Sequence, residues 1–138
     1  MVHEPLILLA EDNATDVFLF RRAYKVAGLK NPLAVVDNGQ EVIDYLSGKP
    51  PYTNRSAHPI PGLLILDINM PLMNGYEALS WLRTHKFSNL PVVILSSSTL
   101  PSDLEKARQL GANDYRVKPI DNNELAVILR DLQHAWLT

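Results

Sequence analysis

Five short apolar runs recur along the chain, and longer stretches with helical spacing separate them. Four runs are uninterrupted and span residues 6–10, 33–36, 63–66 and 92–95, while the fifth, at 115–117, is shorter and mixed. Uninterrupted runs of this length are typical of strands that are buried on both faces of a parallel sheet. The mixed fifth run indicates a strand at the edge of that sheet.

The stretches between the runs predict helices over residues 15–27, 40–47, 75–85 and 102–111, and a last helix that starts at 121. Apolar residues recur there at spacings of three and four, which places them on one face of each helix. Glycines at 28, 48 and 111 are suited to end three of these helices. Residues 102–105 read Ser-Asp-Leu-Glu, the form of a capping box at a helix start.

Strict alternation of strands and helices predicts an α/β fold. The expected architecture is a doubly wound, flavodoxin-like (βα)5 three-layer sandwich with the parallel sheet order 2-1-3-4-5. One irregular stretch, residues 48–62, contains four prolines and predicts a long surface loop between the second helix and the third strand. We expect a single domain over residues 1–138, with its core at about 6–132 and no output domain.

Composition narrows the class of protein. The 138 residues include no cysteine, which excludes disulfides, thiolate metal sites and cysteine nucleophiles. The net charge is −2 without a long run of one sign, so neither nucleic acid nor an anionic membrane is an expected partner. The N-terminus lacks the features of a signal peptide and no apolar run reaches the length of a membrane span, which predicts a cytoplasmic protein.

Polar residues follow the first, third, fourth and fifth apolar runs at the point where each run ends. In open α/β sheets, ligands bind beyond the carboxyl ends of the strands, so we expect these residues to converge on one pocket. They are Glu11 and Asp12, then Asp67 and Asn69, then Ser96, and finally Lys118.

The convergence of three carboxylates predicts a magnesium site. Crowded carboxylates repel one another and are stabilised by a cation, and an oxygen-only ligand set suits Mg²⁺. Zinc is disfavoured because neither histidine nor cysteine accompanies the acids. A carboxylate nucleophile, Mg²⁺ and an ammonium group are together what phosphoryl transfer to an aspartate requires.

These residues resemble the signature of bacterial response-regulator receiver domains. The stretch 67–75, Asp-Ile-Asn-Met-Pro-Leu-Met-Asn-Gly, is similar to the D-x-x-M-P-x-x-x-G segment of that family, and the resemblance spans about residues 6–132. The resemblance implies that the chain accepts a phosphoryl group from a histidine kinase in a Mg²⁺-dependent reaction. The resemblance implies that Asp67 is the phosphoacceptor, that Ser96 is the switch hydroxyl, and that Lys118 is the phosphate-binding cation. Tyr115 is the implied aromatic switch residue. The implied metal ligands are Asp12 directly, Glu11 mostly through water, Asp67, and Asn69 through its backbone carbonyl.

The resemblance also implies details of geometry and mechanism. The Lys118–Pro119 peptide bond is expected to be cis. Phosphorylation is expected to draw the Ser96 hydroxyl inward, after which Tyr115 turns inward and the face formed by the fourth helix, fifth strand and fifth helix changes shape. Two departures from the family pattern are Glu11 in place of aspartate and serine in place of threonine at the switch. Ser96 is chosen among three consecutive serines because it lies 22 residues before Lys118, the spacing of the family.

A closer resemblance concerns the small response regulators that partner cyanobacterial phytochrome histidine kinases. It rests on the lack of an output domain, the Asn-Met-Pro segment after Asp67 and the proline-rich loop. It implies a sensor histidine kinase as partner, which in this subgroup is a phytochrome. It also implies a homodimer through the face formed by the fourth and fifth helices and the fifth strand.

Three alternatives differ from a signalling switch. A Mg²⁺-dependent hydrolase that works through an aspartyl-phosphate usually has a second aspartate two residues after the nucleophile, where Asn69 stands. A passive receiver-like scaffold needs none of the acids. An FMN binder needs a phosphate loop after the first strand, where Glu11 and Asp12 would repel a phosphate. The sequence therefore favours a switch and not a turnover enzyme.

Overall fold

The computed structural model describes residues 4–137. Its five strands are β1 (Ile7–Ala10), β2 (Leu33–Val36), β3 (Leu63–Leu66), β4 (Val92–Ser96) and β5 (Asp114–Val117). Its five helices are α1 (Ala14–Val26), α2 (Gly39–Ser47), α3 (Gly75–Arg83), α4 (Pro101–Gln109) and α5 (Asn122–Leu137). All strand pairs are parallel and the sheet order is β2-β1-β3-β4-β5, which confirms the predicted fold and the edge position of the fifth strand.

Two hydrophobic clusters lie on opposite faces of the sheet, because successive side chains of a strand point to opposite sides. On one face, Leu64 of β3 belongs to a cluster with residues of α2 and α3, such as Leu46 and Leu79. On the other face, Ile65 belongs to a cluster with residues of α1 and α5, such as Leu129. Every residue of β1, β3 and β4 is buried, as the uninterrupted apolar runs predicted. No helix in the described part of the chain is both long and apolar enough to cross a membrane.

Three helices begin at an asparagine whose side chain caps the helix. Asn13, Asn38 and Asn74 each accept a hydrogen bond from the backbone N–H three residues later, at 2.9 Å in all three cases. This satisfies one of the backbone donors that the first turn of a helix leaves unpaired. At α3, Glu77 also accepts a hydrogen bond from the Asn74 backbone N–H and completes a capping box.

The capping box predicted for α4 is wrong. The helix begins at Pro101 after an N-cap at Leu100 that makes no side-chain hydrogen bond. Asp103, the second residue of the predicted box, instead accepts hydrogen bonds from the hydroxyls of Ser98 and Tyr76, both at 2.5 Å. The Asp103 carboxylate, which the sequence pattern assigned to the helix end, is therefore bonded to side chains outside α4.

The proline-rich stretch 48–62 is a loop, as predicted, and one arginine holds it against α2. The Arg55 guanidinium donates hydrogen bonds to the carbonyls of Tyr45 at 2.7 Å and Leu46 at 2.6 Å, which lie in the last turn of α2. The ring of His58 packs edge-on against those of Tyr45 and Tyr52. His58 is half-buried within the loop.

The expectation of a cis Lys118–Pro119 bond is also wrong. Among the described residues the cis peptide bond is Pro50–Pro51, so the bond before Pro119 is trans. Trans is the isomer that bonds before proline prefer by about 0.5–1 kcal/mol. With this isomer the backbone N–H of Lys118 donates to the Ser96 carbonyl at 2.8 Å and extends the pairing of β4 with β5.

Candidate functional site

The candidate site lies at the carboxyl edge of the sheet, where β1 and β3 end side by side. The strand register pairs Ala10 with Leu66, so the next residues, Glu11 and Asp67, are neighbours. The Asp67 N–H donates to the Ala10 carbonyl at 3.1 Å and fixes this arrangement. Glu11 is 4% exposed and Asp67 is 7% exposed, although both are acids. Buried carboxylates are retained only where a partner or a cation offsets the cost of desolvation.

The carboxylates of Glu11, Asp12 and Asp67 meet as the sequence predicted. Each contributes an oxygen to a group whose atoms all lie within 4.8 Å of one another. Such a donor set, hard and made of oxygen alone, fits Mg²⁺ or Mn²⁺ and does not fit zinc. Asn69 follows two residues after Asp67 and is exposed at the same edge.

Lys118 joins these acids from the end of β5. Its ammonium Nζ lies 2.6 Å from Glu11 Oε1, 3.0 Å from Asp16 Oδ2 and 3.3 Å from Asp67 Oδ2. The first and last of these contacts bring Lys118 together with Glu11 and Asp67, as predicted for these three strand-end residues. The contact with Asp16 was not predicted, although this acid lies four residues after Asp12 in the first turn of α1. That spacing marks Asp16 as an acid close to the site, but it does not indicate that Lys118 is its partner.

Burial and charge shift the pKa values of the two most enclosed charged groups. Burial by itself would lower the pKa of Lys118, but its hydrogen bonds to Glu11 and Asp16 and the charge of Asp67 outweigh burial and raise it. Burial raises the pKa of Glu11; the hydrogen bond from Lys118 opposes this shift, and the negative charge of Asp67 adds to it. The ammonium is therefore held charged, while the acids carry an excess of negative charge that a bound cation would relieve.

Ser96 is the last residue of β4 and is fully buried, whereas Ser97 is exposed. The Ser96 hydroxyl oxygen accepts a hydrogen bond from the Ser98 backbone N–H at 3.1 Å. Tyr115, on the neighbouring strand β5, is half-buried, and its hydroxyl donates to the Ser98 carbonyl at 2.9 Å. Both predicted switch residues therefore contact the connection between β4 and α4.

A second polar network, which the sequence did not predict, continues from this connection to α3. The Ser98 hydroxyl and the Tyr76 hydroxyl both donate to the carboxylate of Asp103 in the first turn of α4. The Lys106 ammonium lies 4.5 Å from the centre of the Tyr76 ring, within the range of a cation–π contact. The hydrogen bonds from Ser98 and Tyr76 lower the pKa of Asp103. The network ties the start of α4 to α3.

Comparison with solved structures finds close likeness over nearly the whole chain. The response regulator RPA3017 in red light signalling of R. palustris superposes with a TM-score of 0.92 and 30% identity, covering 97% of this chain and 94% of that one. The phosphorylated cyanobacterial phytochrome response regulator RcpA has a TM-score of 0.87 and 29% identity, covering 99% of this chain and 96% of that one. The Mn²⁺-bound form of response regulator Rcp1, a protein of Synechocystis sp., has a TM-score of 0.82 and 26% identity, covering 96% of this chain and 94% of that one.

The sequence profile of the response regulator receiver domain matches residues 7–130. That range includes all five strands and the site at their carboxyl edge. Receiver domains bind Mg²⁺ or Mn²⁺ at an acidic pocket, and the carboxylates at 11, 12 and 67 form such a pocket here. The chain belongs to the response regulator receiver domain family, and its function is that of a response regulator in two-component signal transduction.

Proposed function

We propose that Asp67 is the residue of this receiver domain that accepts the phosphoryl group. The observation that carries the proposal is the position of its carboxylate. Asp67 Oδ2 lies 3.3 Å from the Lys118 ammonium, and the carboxylate belongs to the group formed with Glu11 and Asp12. Asp67 Oδ1 accepts the Ile68 backbone N–H at 2.8 Å, which fixes the rotation of the carboxylate. Positioning and electrostatic stabilisation of this kind are the main requirements of phosphoryl transfer.

The transfer joins one Asp67 carboxylate oxygen to phosphorus. With a phosphohistidine donor, the new O–P bond forms as the P–N bond breaks, and the electron pair leaves with the imidazole, which takes up a proton from water. Lys118 offsets negative charge that develops on the phosphoryl oxygens. The product is an acyl phosphate with nearly two negative charges beside the ammonium of Lys118.

We infer that Glu11, Asp12, Asp67 and the backbone carbonyl of Asn69 hold Mg²⁺. The fit rests on the oxygen donors described above and on the buried negative charge of Glu11 and Asp67. The ion would neutralise charge on the phosphoryl oxygens when bound. The residues of this chain contribute the rest: they hold the acceptor oxygen in place and keep the lysine charged.

We propose that the output is a change in the face formed by α4, β5 and α5. A phosphoryl group on Asp67 attracts the Ser96 hydroxyl, and the hydrogen bond from the Ser98 N–H to that hydroxyl then breaks. The Ser98 carbonyl also accepts a hydrogen bond from the Tyr115 hydroxyl, so a shift of Ser98 reaches Tyr115 and the α4–β5–α5 face. The phosphoryl group thereby shifts an equilibrium between two conformations. The same face is the proposed homodimer interface.

The proposed partner is a sensor histidine kinase, and the likeness to phytochrome response regulators supports a phytochrome. The chain acts as a switch and not as a turnover enzyme. Asn69 occupies the position where an aspartyl-phosphate hydrolase usually has its second aspartate. A passive scaffold does not need buried acids beside a charged lysine, because burying charged groups costs free energy.

The proposal is tested by incubating the protein with acetyl phosphate, with and without Mg²⁺, and measuring the intact mass. We expect a gain of one phosphoryl group that depends on Mg²⁺ and is absent from Asp67→Asn. Asp131→Asn, an exposed acid on α5, is the matched control with the same change of charge. An unchanged gain in Asp67→Asn, or none in the wild type, would refute the assignment.

A further inference from the structure

Lys118 is surrounded by three carboxylates, one for each of its three N–H donors. These are Glu11 at 2.6 Å, Asp16 at 3.0 Å and Asp67 at 3.3 Å. Two of them have a further task in the proposed function, since Glu11 and Asp67 belong to the carboxylate group that can hold a metal ion. Asp16 is not a member of that group.

Asp16 also differs from the other two acids in position and exposure. Its side chain is 39% exposed, against 5% for Glu11 and 10% for Asp67. It lies in the first turn of α1, where its backbone N–H is held by the Asn13 side chain. A half-exposed carboxylate costs little desolvation, so its pairing with the lysine does not require a metal ion.

The fold determines the distance between Asp16 and Lys118. The Asn122 side chain, four residues after Lys118, donates a hydrogen bond to the Leu19 carbonyl of α1 at 2.9 Å. This contact joins α1 to the start of α5 on the side of the site where Asp16 lies. Asp16 therefore pairs with Lys118 from a helix that is itself held in place, by the Asn13 cap at its start and by Asn122 at Leu19.

Resting on the proposed function, we propose that Asp16 is a positioning residue that holds Lys118 beside Asp67 and so raises the rate of phosphoryl transfer. When Glu11 binds a cation and Asp67 carries a phosphoryl group, both contacts with Lys118 weaken, and the ion pair with Asp16 is the one that remains. A lysine side chain is a flexible four-carbon stem, and one remaining anchor limits its motion into solvent. The remaining two N–H donors then face the phosphoryl oxygens.

The test compares wild type, Asp16→Asn, Asp16→Glu and the control Asp131→Asn by the rate of mass gain over a range of acetyl phosphate concentrations. Asp16→Asn should lower the maximal rate about three- to fivefold, the size expected for a half-exposed ion pair, and leave the half-saturating donor concentration unchanged. Asp16→Glu restores the carboxylate and should recover most of the rate. Asp131→Asn should match the wild type.

A second measurement reports on the lysine itself. In ¹⁵N-labelled protein, the Lys118 ammonium should give a slowly exchanging NMR signal in the wild type, both before and after phosphorylation, and a weakened one in Asp16→Asn. Loss of the wild-type signal on phosphorylation would overturn the inference, as would equal rates in Asp16→Asn and Asp131→Asn. If the wild type gains no phosphoryl group at all, the proposed function itself fails; if it does and Asp16→Asn keeps the full rate, only the role of Asp16 fails.

Discussion

The backbone of Gly75 lies so close to Asp67 that a Cβ at position 75 would fall 2.2 Å from the Asp67 carbonyl oxygen. The Gly75 N–H donates to the Ile68 carbonyl at 2.9 Å, and Asn74 caps the helix that starts here. The first turn of α3 is therefore braced against the strand end that carries the proposed phosphoacceptor. A side chain at this position would push the two apart.

Substitution of Gly75 by alanine tests this close approach. We expect Gly75→Ala to lower the free energy of unfolding by about 1–3 kcal/mol, the usual cost of overpacking, and to slow phosphorylation because the Asp67 backbone must shift. Urea unfolding and the mass assay measure the two effects. The control is Gly28→Ala, where no atom lies within 4 Å of the added Cβ and only the positive φ of +73° is strained. That control should lose stability and keep the phosphorylation rate of the wild type; a full rate in Gly75→Ala would contradict the argument.

Removal of the ammonium at Lys118 should separate metal binding from phosphoryl transfer. Lys118→Met keeps much of the side-chain length and removes the charge beside Glu11 and Asp67. We expect phosphorylation to slow at least about tenfold, in line with the loss of one charge-stabilising group. Calorimetric Mg²⁺ affinity should stay equal or increase, because a positive charge next to the carboxylates opposes a second cation.

The matched control for Lys118→Met is Lys106→Met, which removes an exposed ammonium from α4. It should leave both the phosphorylation rate and the Mg²⁺ affinity at wild-type values. A Lys118→Met protein that loses Mg²⁺ binding together with phosphorylation would show that the lysine supports the metal site and would contradict the separation.

Asp103→Asn should loosen the connection between β4 and α4. The charged carboxylate accepts hydrogen bonds from Ser98 and Tyr76, and these bonds lower its pKa below the ordinary value of 3.8. A folded-state pKa below the unfolded one means that the stabilising contribution is present above about pH 4 and is lost as the pH falls through the folded-state pKa. We expect faster backbone hydrogen exchange at residues 98–100 in Asp103→Asn at pH 7, and a weaker decline of its urea midpoint below pH 4 than in the wild type.

An unchanged exchange rate at residues 98–100 in Asp103→Asn would show that the network does not hold this segment. Glu105→Gln is a suitable control, because Glu105 lies on the same helix and pairs with the exposed Arg108 instead. It should leave the exchange of residues 98–100 as it is in the wild type.

Tyr24 should make stability depend on pH in the alkaline range. Its hydroxyl donates to the Asn31 carbonyl at 2.6 Å, and burial raises its pKa to about 12. Because the unfolded phenol ionises near its ordinary pKa of 10.0, the unfolded state gains stability between pH 10 and 12 while the folded one stays protonated. Tyr24 therefore makes its full contribution to the free energy of unfolding below pH 10, and this contribution is lost as the pH rises from 10 to about 12.

Urea unfolding at pH 8 and pH 11 measures this loss in the wild type and in Tyr24→Phe. Lys118, whose pKa is also raised, adds a decline in the same range to both proteins, so only the difference between them reports on Tyr24. We expect the wild type to lose more stability than Tyr24→Phe over this interval. Equal losses would mean that Tyr24 ionises in the folded state near its ordinary pKa.

The sequence by itself determined the sheet and the place of its chemistry. Uninterrupted apolar runs identify buried strands, helical spacing identifies the helices between them, and strict alternation leaves few topologies. Because parallel strands end at a common edge, Glu11, Asp12, Asp67 and Lys118 could be placed together without any knowledge of the packing. These inferences depend on local periodicity and on the right-handed crossover that connects parallel strands in nearly all proteins.

Only the tertiary structure decided which polar side chains meet across the helices. Asp16 and Lys118 are 102 residues apart, and Tyr76 and Asp103 are 27 apart, so neither pair follows from spacing along the chain. Each depends on how a helix is rotated against the sheet and on the rotamer that packing allows. For the same reason Asp103 bonds to Ser98 and Tyr76 and not to the end of its own helix. Local pattern encodes which groups reach the edge of the sheet, whereas the packing of helices selects their partners.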